Sequence, residues 1–196
     1  MRTANATSSK RRTVHAHRDL EFRDGALRLV VVADTHGNPH PRSAEHIAAL
    51  KPHGILHAGD IGGLAVLDTL AKIAPVHAVR GNIDAPAPET PDSMTLALVE
   101  NGRSLLRLLL VHIGVYGPKL RADAAGLART ERASLVICGH SHVPFIGRDK
   151  GLSIFNPGSI GPRRFHLPIV FGVIDVTRQR MEMRHVDCLT GEIWQP

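Results

Sequence analysis

Seven side chains able to hold a hard or borderline cation fall in five short polar islands. Asp34 and His36 lie in Asp34-Thr35-His36-Gly37, Asp60 in Gly59-Asp60, Asn82 in Gly81-Asn82, His112 in Val111-His112, and His140 and His142 in Gly139-His140-Ser141-His142. Each island interrupts or ends an apolar run. Two carboxylates, four imidazoles and one amide oxygen are too many for one ion but suit two ions sharing a bridging carboxylate. The chemistry open to such a pair is hydrolysis of a phosphate ester, with the cations activating water and neutralising the phosphoryl oxygens.

Taken singly, the islands say less. Asp34 and His36 are two apart, and in an extended segment such residues project to one side. Gly37 then lets the backbone turn away. Asp60 stands among small residues that would let it reach two ions, yet alone it reads as the N-cap of a following helix. Asn82 alone reads as a turn residue. His140 and His142, leaving a core strand two apart, would face one direction and serve neighbouring ions. The argument is their shared position: all five islands sit at the ends of expected strands.

Those strands come in a recognisable series. Residues 26–33 read as a buried strand, 42–51 as a helix, 54–58 as a strand, 64–73 as a helix and 75–79 as a third strand. This alternation is the signature of parallel α/β winding, with active loops at the carboxyl ends of strands. Two apolar runs, 94–99 and 105–111, flank Asn101-Gly102, a strong hairpin signal. A helix over 119–132, weakened by Gly126, and a strand over 134–138 follow. Short strands are expected at 143–147, 152–155, 169–176 and 180–187.

The chain has 196 residues, of which 43% are hydrophobic and 21% charged, which suits one soluble globular domain. No apolar stretch is long enough to span a membrane. Two cysteines offer no disulfide framework, so a reducing, cytoplasmic setting is expected. The formal charge of +6 is concentrated in residues 1–18, which carry Arg2, Lys10, Arg11, Arg12 and Arg18 and no acidic residue. The remainder, with 19 basic against 18 acidic side chains, is close to neutral, which does not favour a nucleic-acid groove. Residues 1–25 therefore read as a flexible basic extension and 26–196 as the folded domain.

In this order the motifs resemble the calcineurin-like metallophosphoesterase superfamily: Asp-X-His, Gly-Asp, Gly-Asn, a lone His, then Gly-His-X-His. Arg80-Gly81-Asn82-Ile83-Asp84 and Asn156-Pro157-Gly158-Ser159 look most like its small prokaryotic phosphodiesterase branch. The resemblance implies a four-layer α/β/β/α sandwich with mixed central sheets and a dinuclear site at one edge. It implies one ion on Asp34, His36, Asp60 and His142, and a second on Asp60, Asn82, His112 and His140, with Asp60 bridging. A hydroxide shared by the ions, roughly 3.5–4 Å apart in such sites, would attack phosphorus in line. Two divalent ions are expected, Mn first, with Fe, Zn, Ni or Co also compatible with the ligands. The expected partner is a small phosphate-ester substrate, and a homo-oligomer is compatible with the sequence.

Two positions depart from the family pattern. Many members carry His directly after Gly-Asn, where this chain has Ile83, which can donate no proton. Relatives often read His-Gly-His where this chain has His112-Ile113-Gly114. Asp84, Arg80 and the 156–159 turn are expected to shape the pocket. Arg163 and Arg164 either reach a substrate phosphate with their forked donors or form a solvated pair. His57 reads as a core residue, and His40, His46, His53 and His77 as loop or helix-face residues. Two alternatives remain open: a nuclease, and a non-catalytic scaffold, since the retromer scaffold subunit looks like this fold with a degraded metal site.

Overall fold

Leu29, Val31 and Ala33 enter one apolar cluster and Val30 and Val32 enter another, so this segment is buried on both faces. That is why the sequence there lacks polar alternation. The structure, a computed structural model, describes residues 13–22 and 25–196. In chain order its elements are β1 (His15–Glu21), β2 (Ala26–Val32), α1 (Ser43–Ala49), β3 (Gly54–His57), α2 (Leu64–Ala71), β4 (Val76–Ala78) and β5 (Ser93–Glu100). There follow β6 (Arg103–Val111), β7 (Val115–Tyr116), β8 (Lys119–Leu120), α3 (Ala122–Thr130), β9 (Leu135–Ile137) and β10 (Phe145–Asp149). The last are β11 (Leu152–Asn156), β12 (Val170–Thr177), β13 (Met181–Asp187) and β14 (Ile193–Trp194).

Two six-stranded mixed sheets carry the fold. One has the order β14-β13-β12-β2-β3-β4, the other β1-β5-β6-β9-β11-β10. Pairing is parallel through β2, β3 and β4, as strand–helix–strand alternation requires. Leu29, Val31 and Leu56 of the first sheet share a cluster with Leu96, Leu108 and Ile137 of the second. Ile47 of α1 and Val66 and Leu70 of α2 pack against Val30, Ile55 and Phe171. Ala125 and Ala128 of α3 pack against Leu109 and Val136 of the other sheet. Between β5 and β6, Asn101 and Gly102 both have positive φ (51° and 76°), the type I′ turn that matches strand twist.

One boundary needs correction. The folded body does not start near residue 26: β1 pairs in parallel with β5 from His15↔Ser93 to Glu21↔Val99. Its sequence, His-Ala-His-Arg-Asp-Leu-Glu, is polar because it is an edge strand, where charge is tolerated and discourages further pairing. Residues 1–12 of the basic extension lie outside the described residues. The helix expected over 119–132 is shorter, because Lys119–Leu120 pairs with Val115–Tyr116 in a small hairpin around Gly117. Gly126 sits on the exposed face of α3, where it costs only helix propensity.

Candidate metal centre

Five chain segments leave the carboxyl ends of strands and converge. Asp34 follows β2, Asp60 follows β3, Asn82 follows β4, His112 follows β6, and His140 and His142 follow β9. Backbone hydrogen bonds tie these segments together: Asp34 N donates to Gly59 O, His36 N to Asp60 O, and Gly139 N to His112 O. The extended-strand argument for the paired residues fails, however. Asp34, His36, Asp60, His140 and His142 all adopt left-handed backbone, with φ between 48° and 70°. Each such residue costs about 1 kcal/mol or more, and Asp, Asn and His bear it better than most. Strain of this kind concentrated on polar side chains is typical of functional sites.

The side chains form two triads, Asp34–His36–His142 and Asp60–His112–His140, whose ligand atoms lie within 4.8 Å of one another. Asp60 faces both: its Oδ1 is 3.2 Å from His112 Nε2 and its Oδ2 is 3.8 Å from His36 Nε2. Asn82 Oδ1 lies 3.0 Å from His112 Nε2 and 3.1 Å from His140 Nδ1. His142 Nε2 is 3.5 Å from Asp34 Oδ1, and its ring stacks on that of His36. The N-cap of α2 is Gly63, so Asp60 is not spent as a cap. Gly81 is required by close approach, since a Cβ there would fall 2.0 Å from Asp60 Oδ1.

A family model for the calcineurin-like phosphoesterase superfamily domain matches residues 27–179. The chain belongs to that superfamily. A probable metallophosphoesterase of Methanothermobacter thermautotrophicus is 35% identical over 106 residues, covering 54% of this chain and 59% of the relative's length. Among solved structures, Vps29 of Cryptosporidium parvum superposes with a TM-score of 0.70 at 16% identity, covering 87% of this chain and 96% of the other. YfcE, a phosphoesterase from E. coli, gives 0.59 at 20% identity, covering 86% and 97%. At such identities these two likenesses establish the fold. Calcineurin-like phosphoesterases are metal-dependent, and the two triads are this member's candidate ligand groups.

The chemistry of the donors fits cations. His112 Nδ1–H donates to Ala58 O at 2.8 Å, which turns the other nitrogen's lone pair toward Asn82 Oδ1 and Asp60 Oδ1. Burial lowers the pKa of His112, which favours the neutral ring and leaves its Nε2 lone pair facing two oxygen acceptors. A cation satisfies such an arrangement. Asp34 tells the same story: burial and the nearby Asp60 charge push its carboxyl up to about 8, outweighing the His140 N–H and Arg164 that oppose them. Burial likewise takes His142 down to about 4, keeping it an unprotonated donor.

Around this superfamily site, several residues act as props. Asp84, expected only to shape the pocket, accepts from the N–H groups of Ile61, Gly62 and Gly81 at 2.8–3.0 Å. Burial would raise its pKa, but those three donors prevail and hold it below the usual carboxylate range. It thereby clamps the Asp60 loop to the Asn82 loop. The 156–159 turn does similar work: Asn156 Nδ2 donates to Gly139 O, and Ser159 Oγ to Asp34 O. His57 is a buried core residue that accepts from Gly59 N and meets Thr35 Oγ1 at 3.0 Å. Arg80 donates to Asp92, and the pair lines the cavity beside Asn82 and His112. Arg164, exposed, places Nη2 3.2 Å from His36 Nε2, while Arg163 is exposed.

The departures also have structural reasons. Gly114 packs against Cys138, whose Cβ would lie 2.8 Å from a Cβ at that position, so no histidine fits there without movement. Ile83 is 48% exposed, and its N–H donates to Asp60 Oδ1 at 3.2 Å. A cavity of about 400 Å³ reaches Asn82, His112 and Ile113, and another of about 480 Å³ is lined by Ile61, Leu64, Ile83 and Asp84.

Proposed function

We propose that this protein hydrolyses phosphate esters, phosphodiesters in preference, at a dinuclear divalent metal centre. One cation would be held by Asp34, His36, Asp60 and His142, and the other by Asp60, Asn82, His112 and His140. The observation that carries this reading is Asp60, whose two oxygens face one triad each, 3.2 Å from His112 Nε2 and 3.8 Å from His36 Nε2. When bound, such cations would lower the pKa of a coordinated water and neutralise charge on the phosphoryl oxygens. Mn is the first candidate, with Fe, Zn, Ni or Co compatible with the same donors.

The chain's own residues supply the rest. His112, fixed by Ala58 O, and Asp60, flanked by Gly81, hold their donor atoms without rotation, so little reorganisation accompanies reaction. Arg164 stands beside His36 and can meet a non-bridging phosphoryl oxygen with its guanidinium. The preference for diesters is supported by the two cavities that adjoin Asn82 and Ile83, since a diester has two organic arms to accommodate. Ile83 provides no proton for the leaving oxygen, which favours substrates with good leaving groups. A reducing, cytoplasmic setting is supported by Cys138 and Cys188, both buried free thiols.

A non-catalytic scaffold is the second reading, supported by the likeness to Vps29. The completeness of the ligand set supports catalysis instead. Elemental analysis under metal-replete conditions, coupled to a screen of phosphomonoesters, phosphodiesters and cyclic nucleotides, separates the two. Two ions per chain with ester turnover is the expected result. Two ions without turnover of any ester would sustain the scaffold, and at most one ion would sink the dinuclear assignment.

A further inference from the structure

On β1, His15 and His17 are two residues apart in a regular strand and so lie on one side of it. Their rings meet edge to face, with centroids 4.7 Å apart. Opposite them is Glu131, the residue that caps the end of α3. Its Oε2 lies 2.7 Å from His17 Nε2 and 3.8 Å from His15 Nε2. Ligand atoms of all three fall within 4.8 Å of one another.

We propose that His15, His17 and Glu131 form a third divalent-cation site, a Zn²⁺-type clasp fastening edge strand β1 to the end of α3. None of the three belongs to the phosphoesterase centre, so the inference stands whether or not that centre works as proposed. Two imidazoles and a carboxylate, with a position left for water, are a donor set that Zn²⁺ takes readily. Bonds of ~2.1 Å at tetrahedral angles set neighbouring donors about 3.4 Å apart. The observed 2.7 and 3.8 Å lie on either side of that value. The His17 side chain is 63% exposed, so its ring can open the shorter distance without disturbing the core.

The surroundings already orient the donors. Ser93 Oγ lies 2.7 Å from His15 Nδ1 and can accept its proton, which presents the Nε2 lone pair to the carboxylate side. Thr95 Oγ1, 3.3 Å from Glu131 Oε2 and 3.1 Å from His15 Nε2, closes the inner wall of the site. Glu131 stands at a helix C-terminus, where the dipole disfavours a carboxylate and favours a cation. Arg107 donates to the backbone carbonyl of Glu131, so that contact does not take up the carboxylate.

Calorimetric titration of the full chain with Zn²⁺ tests the clasp, comparing the wild type with His17→Gln and Glu131→Gln. Glutamine at 17 keeps a donor for Glu131, so a purely hydrogen-bonded fastening would survive it. Wild type should bind one more equivalent than either variant, or bind that equivalent at least ~10-fold more tightly, since even outer-shell changes cost ~10–100-fold. Zn²⁺ should also raise the thermal midpoint of wild type more than that of either variant. Repeating the comparison in an Asp60→Asn background weakens the central site, and the one-equivalent difference between wild type and variants at positions 17 and 131 should persist there. Superimposable titrations of wild type and both variants would overturn the proposal, whatever the central site then proved to bind.

Discussion

At Asp60 a single carboxylate faces both triads, so Asp60→Asn should weaken both ions together, whereas loss of Asn82 or His36 should weaken one. Metal analysis of the Asp60→Asn protein should find both ions depleted, with turnover falling by more than the ~10–100-fold typical of outer-shell changes. Retention of one full equivalent would show that the carboxylate is not shared. The neighbouring Ile83 sets a second expectation. Because no acid stands there, turnover should fall steeply as the leaving group becomes more basic, with aryl diesters cleaved well and alkyl esters poorly. Ile83 is half exposed at the edge of a cavity, so Ile83→His should be accommodated without a core defect. It should accelerate alkyl esters by ~10²-fold and aryl esters little, the lower end of what a positioned acid contributes. An equal effect across the leaving-group series would refute that role for position 83.

β1 is the element whose contribution was least visible beforehand. It adds seven residues of parallel pairing to β5 and carries Leu20, which packs against the inter-sheet cluster. Two truncations separate it from the chain before it. Removing residues 1–12 takes away no ligand and no described strand, and should leave metal content and small-ester turnover within about twofold. Removing residues 1–21 leaves β5 paired on one side only, with β6, and bares an apolar edge, which invites association. The longer truncation should cost ~2–3 kcal/mol and lower the melting temperature by roughly 5–10 °C, with a rise in aggregation. Equal melting temperatures for the two truncations would show that β1 contributes nothing to the domain.

The whole molecule's response to acid depends in part on His57. Burial takes its pKa down to about 4, from an ordinary value of 6.5. Between those values the unfolded chain binds a proton that the folded chain excludes. Stability present above pH 6.5 is therefore lost as pH falls toward 4, by up to ~3 kcal/mol for this one group. His57→Gln removes the titration while keeping a donor for Thr35 Oγ1. Urea unfolding at pH 7 and pH 5 with saturating metal should show wild type losing more stability than the variant. Parallel losses would mean that His57 is not the acid-sensitive group.

By itself the sequence determined the parallel winding and the Asn101-Gly102 hairpin, and it offered seven candidate ligands at strand ends. The first two are local matters, since a doubly buried strand needs an unbroken apolar run and an Asn-Gly pair accepts positive φ, but the candidate ligands leave strands of two sheets and meet only because those sheets pack face to face. Tertiary structure alone decided the rest. β1 reads as a charged leader because an edge strand needs little apolar alternation when its pairing comes from β5, seventy-eight residues away in register. Asp34 and His36 converge through left-handed backbone instead of strand pleat, a conformation held by Gly59 O and Asp60 O across the sheet end. Asp84 became a clamp between two loops, and Glu131 came to face His15 and His17, only because segments distant in sequence met. Spacing along a chain carries no record of such meetings, since they depend on which loops the packed sheets bring together.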